Sequence, residues 1–206
     1  VVNKVVLDEP VLASARQLFG ANGFSDTTTR MIAGDVGIDV STLHYHWGDK
    51  QELYEGVVGA VNAEITERFR EVERRCRGVD VGRRLEIAID VMCDYLFEHP
   101  EVANLILVGY LRKADHTAVL DINITHYISS IAVAMGLATD PESVSVQAKA
   151  RILAVWHAVL NFISGRDYFR PMLGVAPETY TGVVKETLKF LLVPAFTTAT
   201  EAGTHS

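Results

Sequence analysis

Apolar residues recur at helical spacing along almost the whole chain, and strand-like alternation is sparse. The first stripe is Val11, Leu12, Ala15, Leu18 and Phe19, preceded by Asp8, Glu9 and Pro10 and followed by Asn22-Gly23. Acidic residues and proline suit a helix's first turn, and Asn-Gly suits a left-handed stop, so the spacing predicts a helix from about Pro10 to Asn22. A second helix of about two turns opens at Thr27 or Thr28, whose hydroxyl can accept from the free N–H groups, and carries Ile32, Ala33 and Val36 on one side. Gly37 then supplies a sharp turn, Ile38 plugs the angle, and Asp39 is a natural cap for a third helix. On that helix Leu43 and Trp47, four apart, face inward. Ser41, His44 and Tyr45 turn outward, flanked by Val40 and Thr42, and Gly48-Asp49-Lys50 caps the next helix. Two short helices around a tight turn read as a helix-turn-helix. Its small, polar and aromatic outer face suits a major groove, where hydroxyls meet base edges or phosphates and Val40 meets a thymine methyl.

Beyond Lys50 the pattern stays helical, with Gly and Pro as punctuation. A long, charged helix is predicted from about Gln51 to Cys76, with Glu64/Arg68 and Glu71/Arg75 at the favourable i, i+4 spacing. The Arg residues from Arg74 to Arg84 alternate with Glu and read as a solvated face rather than a second DNA site. Leu85, Ile89, Met92, Cys93 and Leu96 mark a helix broken at His99-Pro100, and a short one follows over Glu101 to Lys113. Leu120, Ile124, Tyr127, Ile128, Ile131 and Met135 mark the next, ending near Gly136. A long helix is predicted from about Pro141 to Gly165, a loop from Arg170 to Pro177, and a last helix from Glu178 to about Val193, stopped by Pro194. The small, polar end of the chain is expected to be disordered. The fold class is therefore all-α, with an N-terminal three-helix head over residues 1–50, a helical domain over 51–196 and a tail over 197–206.

The run F-x-x-x-G-F, T-T-x-x-I-A, V-G-I, S-T-L-x-Y-H-W-G-x-K, within residues 8–58, resembles the N-terminal signature of the tetracycline-repressor (TetR) family of bacterial transcriptional regulators. By that resemblance Thr28, Thr29 and Arg30 contact backbone or flanking bases. Val40, Ser41, Thr42, His44, Tyr45 and His46 form the recognition helix, and Lys50 is a phosphate anchor. His44 stands where the family usually has Tyr, and Trp47 where it usually has Phe. The resemblance also implies a homodimer, with Ala148 to Ile163 and Tyr180 to Leu191 near the twofold axis. Two recognition helices about 34 Å apart then read a palindromic operator in double-stranded DNA.

The family builds an effector pocket between head and dimer bundle, and polar or aromatic residues interrupt apolar helices in the corresponding part of this chain. Asn123, His126 and Ser130 share one stripe, and His157, Asn161 and Ser164 another. Candidate ligand-binding residues are Met92, Tyr95, Tyr110, Asn123, His126, Tyr127, Trp156, His157 and Asn161. An apolar cavity with a few fixed polar groups is the usual small-molecule site. The expected function is a ligand-responsive repressor, released from DNA by a small, mainly apolar effector. A DNA-binding structural or accessory factor of the same fold without an effector is the alternative.

Composition narrows the classes. The 206 residues are 49% hydrophobic with a net charge of -7, and no apolar run approaches the roughly 18 residues of a membrane span. Two Cys without metal or disulfide spacing, and no secretion-signal pattern, lead to the expectation of a cytoplasmic protein without metal or cofactor. No nucleophile elbow, Gly-rich phosphate loop or HExxH pattern is present, so no catalytic residue is assigned and an enzyme is not expected. Residues 1–50 hold Lys4, Arg16, Arg30 and Lys50 against Asp8, Glu9, Asp26, Asp35, Asp39 and Asp49. A net acidic reading head has few cations with which to release counterions, so its non-specific DNA affinity is expected to be weak.

Overall fold

The computed structural model describes the backbone of residues 4–111 and 124–203 and the side chains of 8–109 and 127–197. Among the described residues the fold is all-α. The order is α1 (Lys4–Asp26), α2 (Thr29–Val36), α3 (Val40–Trp47), α4 (Lys50–Arg75), α5 (Val81–Glu98), α6 (Pro100–Leu111), α7 (Ile124–Ala134), α8 (Val146–Ser164), α9 (Arg166–Leu173) and α10 (Pro177–Gly203). The chain divides into two compact units, one of Val1–Ile65 with Pro100–Ile122, the other of Thr66–His99 with Asn123–Ser206.

In the first unit α1 packs against α2 and α6. Val11, Ala15 and Phe19 are buried, so the α1 stripe forms core, as do Ile32, Ala33 and Leu43 from α2 and α3 and Leu53, Val57 and Val61 from α4. Gly23 interrupts α1 with φ 77 and ψ 173, a positive-φ conformation that favours glycine but is extended in ψ, so it kinks the helix rather than making the left-handed stop expected there. Gly20 permits a close approach to α6, since a Cβ at that position would lie 2.9 Å from the Glu101 carbonyl oxygen. Arg16 joins three helices. Its guanidinium donates to Glu64 at 2.8 and 2.9 Å and pairs with Glu101 at 2.8 Å, and both Arg16 and Glu101 are largely withdrawn from solvent.

The second unit is tied chiefly by α5 against α10 and α7 against α8. Ile128 and Ala132 of α7 meet Ala148 and Ile152 of α8, while Val72 of α4 and Cys76 just after it meet Ile87 and Val91 of α5. The Tyr180 hydroxyl donates to the Phe162 carbonyl at 2.9 Å. Asp90 receives Lys185 at 3.1 Å and Lys189 at 3.0 Å across the α5–α10 contact. Burial alone would raise the Asp90 carboxyl, but the hydrogen bonds from Lys189 and Lys185 outweigh it and hold it below the usual carboxylate range.

Several boundaries differ from the sequence reading. The helix expected from Pro141 starts at Val146, because the Asp140 carboxylate accepts the N–H groups of Glu142 and Ser143 in a turn, and Ser145 supplies the cap by accepting from Ala148. The stretch expected as a loop from Arg170 contains the end of α9. Phe169, earlier in α9, packs on Phe162, and the left-handed Gly174 ends the helix. Pro194 does not stop the last helix, which continues to Gly203 through the start of the expected disordered tail. Phe196, two residues beyond the proline, is buried, and Gly82 of α5 leaves room for Val193 and Thr197. That packing outweighs the single backbone hydrogen bond the proline removes.

Candidate functional site

The turn between α2 and α3 is made by backbone chemistry. Thr28 caps α2 by accepting from the Met31 N–H. At its other end Gly37 has φ 71 and donates to Gly34, while the Ile38 N–H reaches the Ala33 carbonyl at 2.9 Å. A β-branched or larger residue is strained in that conformation, which fixes glycine as the pivot. Asp39 occupies the cap position of α3, yet its side chain makes no capping hydrogen bond.

Leu43 is buried at 1% exposure and pins α3 inward, so its opposite face is open. Ser41, His44 and Tyr45 are exposed, Tyr45 at 86%, while Val40, Thr42 and His46 are half-buried beside them. The rings of Tyr45 and His46 meet edge to face at 5.2 Å. His44 contacts the Gly48 carbonyl through Nδ1 at 2.7 Å, closing the end of α3. Thr28 and Arg30 are exposed at the start of α2, with Thr29 half-buried between them.

Lys50, expected as a phosphate anchor, is directed elsewhere. Its ammonium donates to the carbonyls of Phe24 at 2.9 Å, Thr27 at 3.1 Å and Ser25 at 3.5 Å, and lies 4.3 Å from the centre of the Phe24 ring. It therefore closes the carbonyl end of α1, where a cation is favoured, at the segment that leads into α2. Phe24 stacks on Phe19, and both meet Tyr54 edge-on, so the capped segment rests on an aromatic cluster. With Arg16 committed to Glu64 and Glu101, Arg30 is the exposed cation among the described side chains of residues 1–50.

The second unit contains a cavity of about 600 Å³. Its walls come from α4, α5, α7, α8 and α10 and include Phe69, Leu85, Ile89, Met92, Tyr127, Ile131, Ile152, Trp156 and Phe196. Of the candidate ligand residues, Met92, Tyr127 and Trp156 line it. Tyr95 does not; it lies against Arg68 and His99. Nor do His157 and Asn161, which bond within α8: His157 Nδ1 contacts the Leu153 carbonyl and the Asn161 amide donates to the His157 carbonyl. Asn123 and the side chains of Tyr110 and His126 fall outside the described residues. Sequence reading missed the contribution of Thr66 and Phe69 of α4 and of Cys76 just after it, because the Glu and Arg pattern of that helix masks the apolar residues between them. The Thr66 and Tyr127 hydroxyls hydrogen-bond to each other in the wall. Burial raises the thiols of Cys76 and Cys93, the latter to about 12, so both stay protonated and unreactive near neutral pH. No cluster of three or more metal-ligating side chains occurs among the described residues, and no described helix is long and apolar enough to cross a membrane.

Residues 11–57 match the family model of the bacterial regulatory proteins of the tetR family. No curated protein sequence matches the chain significantly. Among solved structures, a TetR-like transcriptional regulator from Rhodococcus sp. RHA1 is similar at a TM-score of 0.63 and 16% identity, over 92% of this chain and 97% of that one. AmtR of Mycobacterium smegmatis is similar at 0.60 and 19%, over 95% and 93%. The fatty acid degradation regulator FadR of Bacillus halodurans is similar at 0.59 and 13%, over 89% and 98%. At such identities these structures carry the fold, and the match over residues 11–57 carries the helix-turn-helix. The two together show a tetR-family helix-turn-helix over residues 11–57 and, over most of the chain, the all-α fold of TetR-like regulators.

Proposed function

We propose that the protein is a repressor that binds a palindromic operator as a homodimer and is released by a small, mainly apolar effector. The observation that carries this reading is α3, anchored by Leu43 and open along Ser41, His44 and Tyr45. In this reading residues 1–50 read DNA and residues 51–196 bind effector and dimerise. Ser41, Thr42, His44, Tyr45 and His46 meet base edges or phosphates and Val40 meets a thymine methyl, while Thr28, Thr29 and Arg30 hold the flanking backbone.

Dimerisation is supported by where apolar surface is left open. Among the described residues, large exposed hydrophobic side chains other than Met31 and Tyr45 all lie on α8, α9 and α10: Val146, Tyr168, Met172, Leu173, Val183, Phe190 and Leu191. A second copy covering them removes that surface from water and supplies a second recognition helix. The cavity supports the effector, and α4 supports coupling, since it runs unbroken from Lys50 at the end of the head to the cavity-lining Cys76 region. A ligand that reverses occupancy from 1:99 to 99:1 needs differential affinity of about 5.5 kcal/mol between the two states.

Selection from a randomised duplex pool, followed by sedimentation of the complex, tests the reading. The expected product is a palindrome bound by two chains, dissociated by a fraction of bacterial metabolite extract. A monomer with no sequence preference overturns it, and a palindrome complex that no fraction dissociates removes the effector.

A further inference from the structure

Resting on the reading of the cavity as the effector site, we infer that its ligand is uncharged, and that the cavity selects against carboxylates and ammonium ions of the same shape. Much of the wall is hydrocarbon and ring, including Leu85, Ile89, Met92, Ile152, Trp156 and Phe196. The uncharged polar groups that join it, among the described residues, include the mutually bonded hydroxyls of Thr66 and Tyr127, the Ser130 hydroxyl and the protonated thiol of Cys76. Among the described residues, charge reaches the lining through Arg70 and Glu73, both exposed and three residues apart on α4. Arg70 already faces Glu67 at 3.5 Å. An anion drawn to Arg70 therefore meets two carboxylates nearby, and a cation drawn to Glu73 meets Arg70. An ion that moves away from Arg70 and Glu73 loses hydration without gaining a side chain of opposite charge among the described ones. A neutral molecule of drug-like size fits a cavity of about 600 Å³ and bears neither cost.

The test uses three probes with the same chain: decan-1-ol, decanoate and decylammonium. Trp156 lines the cavity and Trp47 belongs to the first unit, so Trp47→Phe leaves Trp156 as the fluorescence reporter. Decan-1-ol is expected to shift Trp156 emission saturably, with a dissociation constant at least about tenfold below that of either ion. Ala88→Phe, which fills part of the lining, is expected to weaken decan-1-ol binding by a similar factor with the circular dichroism spectrum unchanged. Decanoate or decylammonium binding as tightly as the alcohol, in a manner that Ala88→Phe blocks, overturns the charge selectivity and leaves the effector site standing. Binding by none of the three, or binding that Ala88→Phe leaves untouched in a folded protein, overturns both.

Discussion

Replacing Lys50 with Met keeps most of the side chain's length and apolar stem while deleting the ammonium that three carbonyls share. The bonds to Phe24 and Thr27, at 2.9 and 3.1 Å, are of full quality, and the 3.5 Å contact to Ser25 adds little. A hydrogen bond involving a charged group is worth about 1.5–3 kcal/mol net, and the cation over the Phe24 ring about 0.5–1. Lys50 is half-buried, so water can replace part of what is lost, and the expected cost of Lys50→Met is roughly 2–3 kcal/mol. At about 2–4 °C per kcal/mol for a chain of this size, the melting temperature should fall by roughly 5–10 °C, read by circular dichroism at 222 nm. A phosphate anchor behaves differently: losing one per subunit should reduce the slope of log affinity against log salt by about 0.9 for each lost contact, with little change in melting. Wild-type melting together with a reduced salt slope on a selected operator would refute the capping role.

Tyr45→Ala removes an exposed ring and should leave the melting temperature unchanged while weakening operator binding by roughly 5- to 100-fold, as a mobility-shift titration would show. Leu43→Ala, at a site 1% exposed, should cost roughly 2–5 kcal/mol in urea unfolding. Gly20→Ala puts a methyl against the Glu101 carbonyl and should cost roughly 1–3 kcal/mol by forcing α1 and α6 apart, measured the same way. The Asp90 carboxyl is held below its ordinary value of 3.8 in the folded chain, so its stabilisation is complete above the unfolded value and is lost as pH falls through the folded one. Asp90→Asn should therefore be less stable than wild type at pH 7, with the gap narrowing below about pH 4 in urea melts.

The helix-turn-helix was legible because it rests on local rules. Gly37 has to adopt a left-handed turn, Thr28 has to cap, and Leu43 has to face inward by its spacing from Trp47. The role of Lys50 was not legible, because its partners are backbone carbonyls more than twenty residues away that leave no mark in the pattern of side chains. Arg16 was hidden for a related reason: its partners Glu64 and Glu101 come from two distant helices. At Asp140-Pro141 the sequence offered a helix start and the carboxylate made a turn instead; Ser145, five residues on, is the same kind of capping residue and won. Pro194 misled for the opposite reason, since tertiary packing at Phe196 and Gly82 overrode a local breaker. In the cavity, the rings of Tyr127 and Trp156 were foreseeable as apolar stripes. His157 and Asn161 were attractive as polar breaks, yet each is satisfied within its own helix.

The inward commitment of Arg16 and Lys50 bears on how such a protein would find its target. With Arg30 as the exposed positive side chain among those described in the head, little holds the protein to arbitrary duplex between encounters. Under the proposed function, scanning by travel along a chromosome then contributes little, and most arrivals come from free solution. Promoter occupancy under that regime tracks the concentration of the regulator almost directly, because the bulk of genomic DNA does not act as a reservoir that soaks it up.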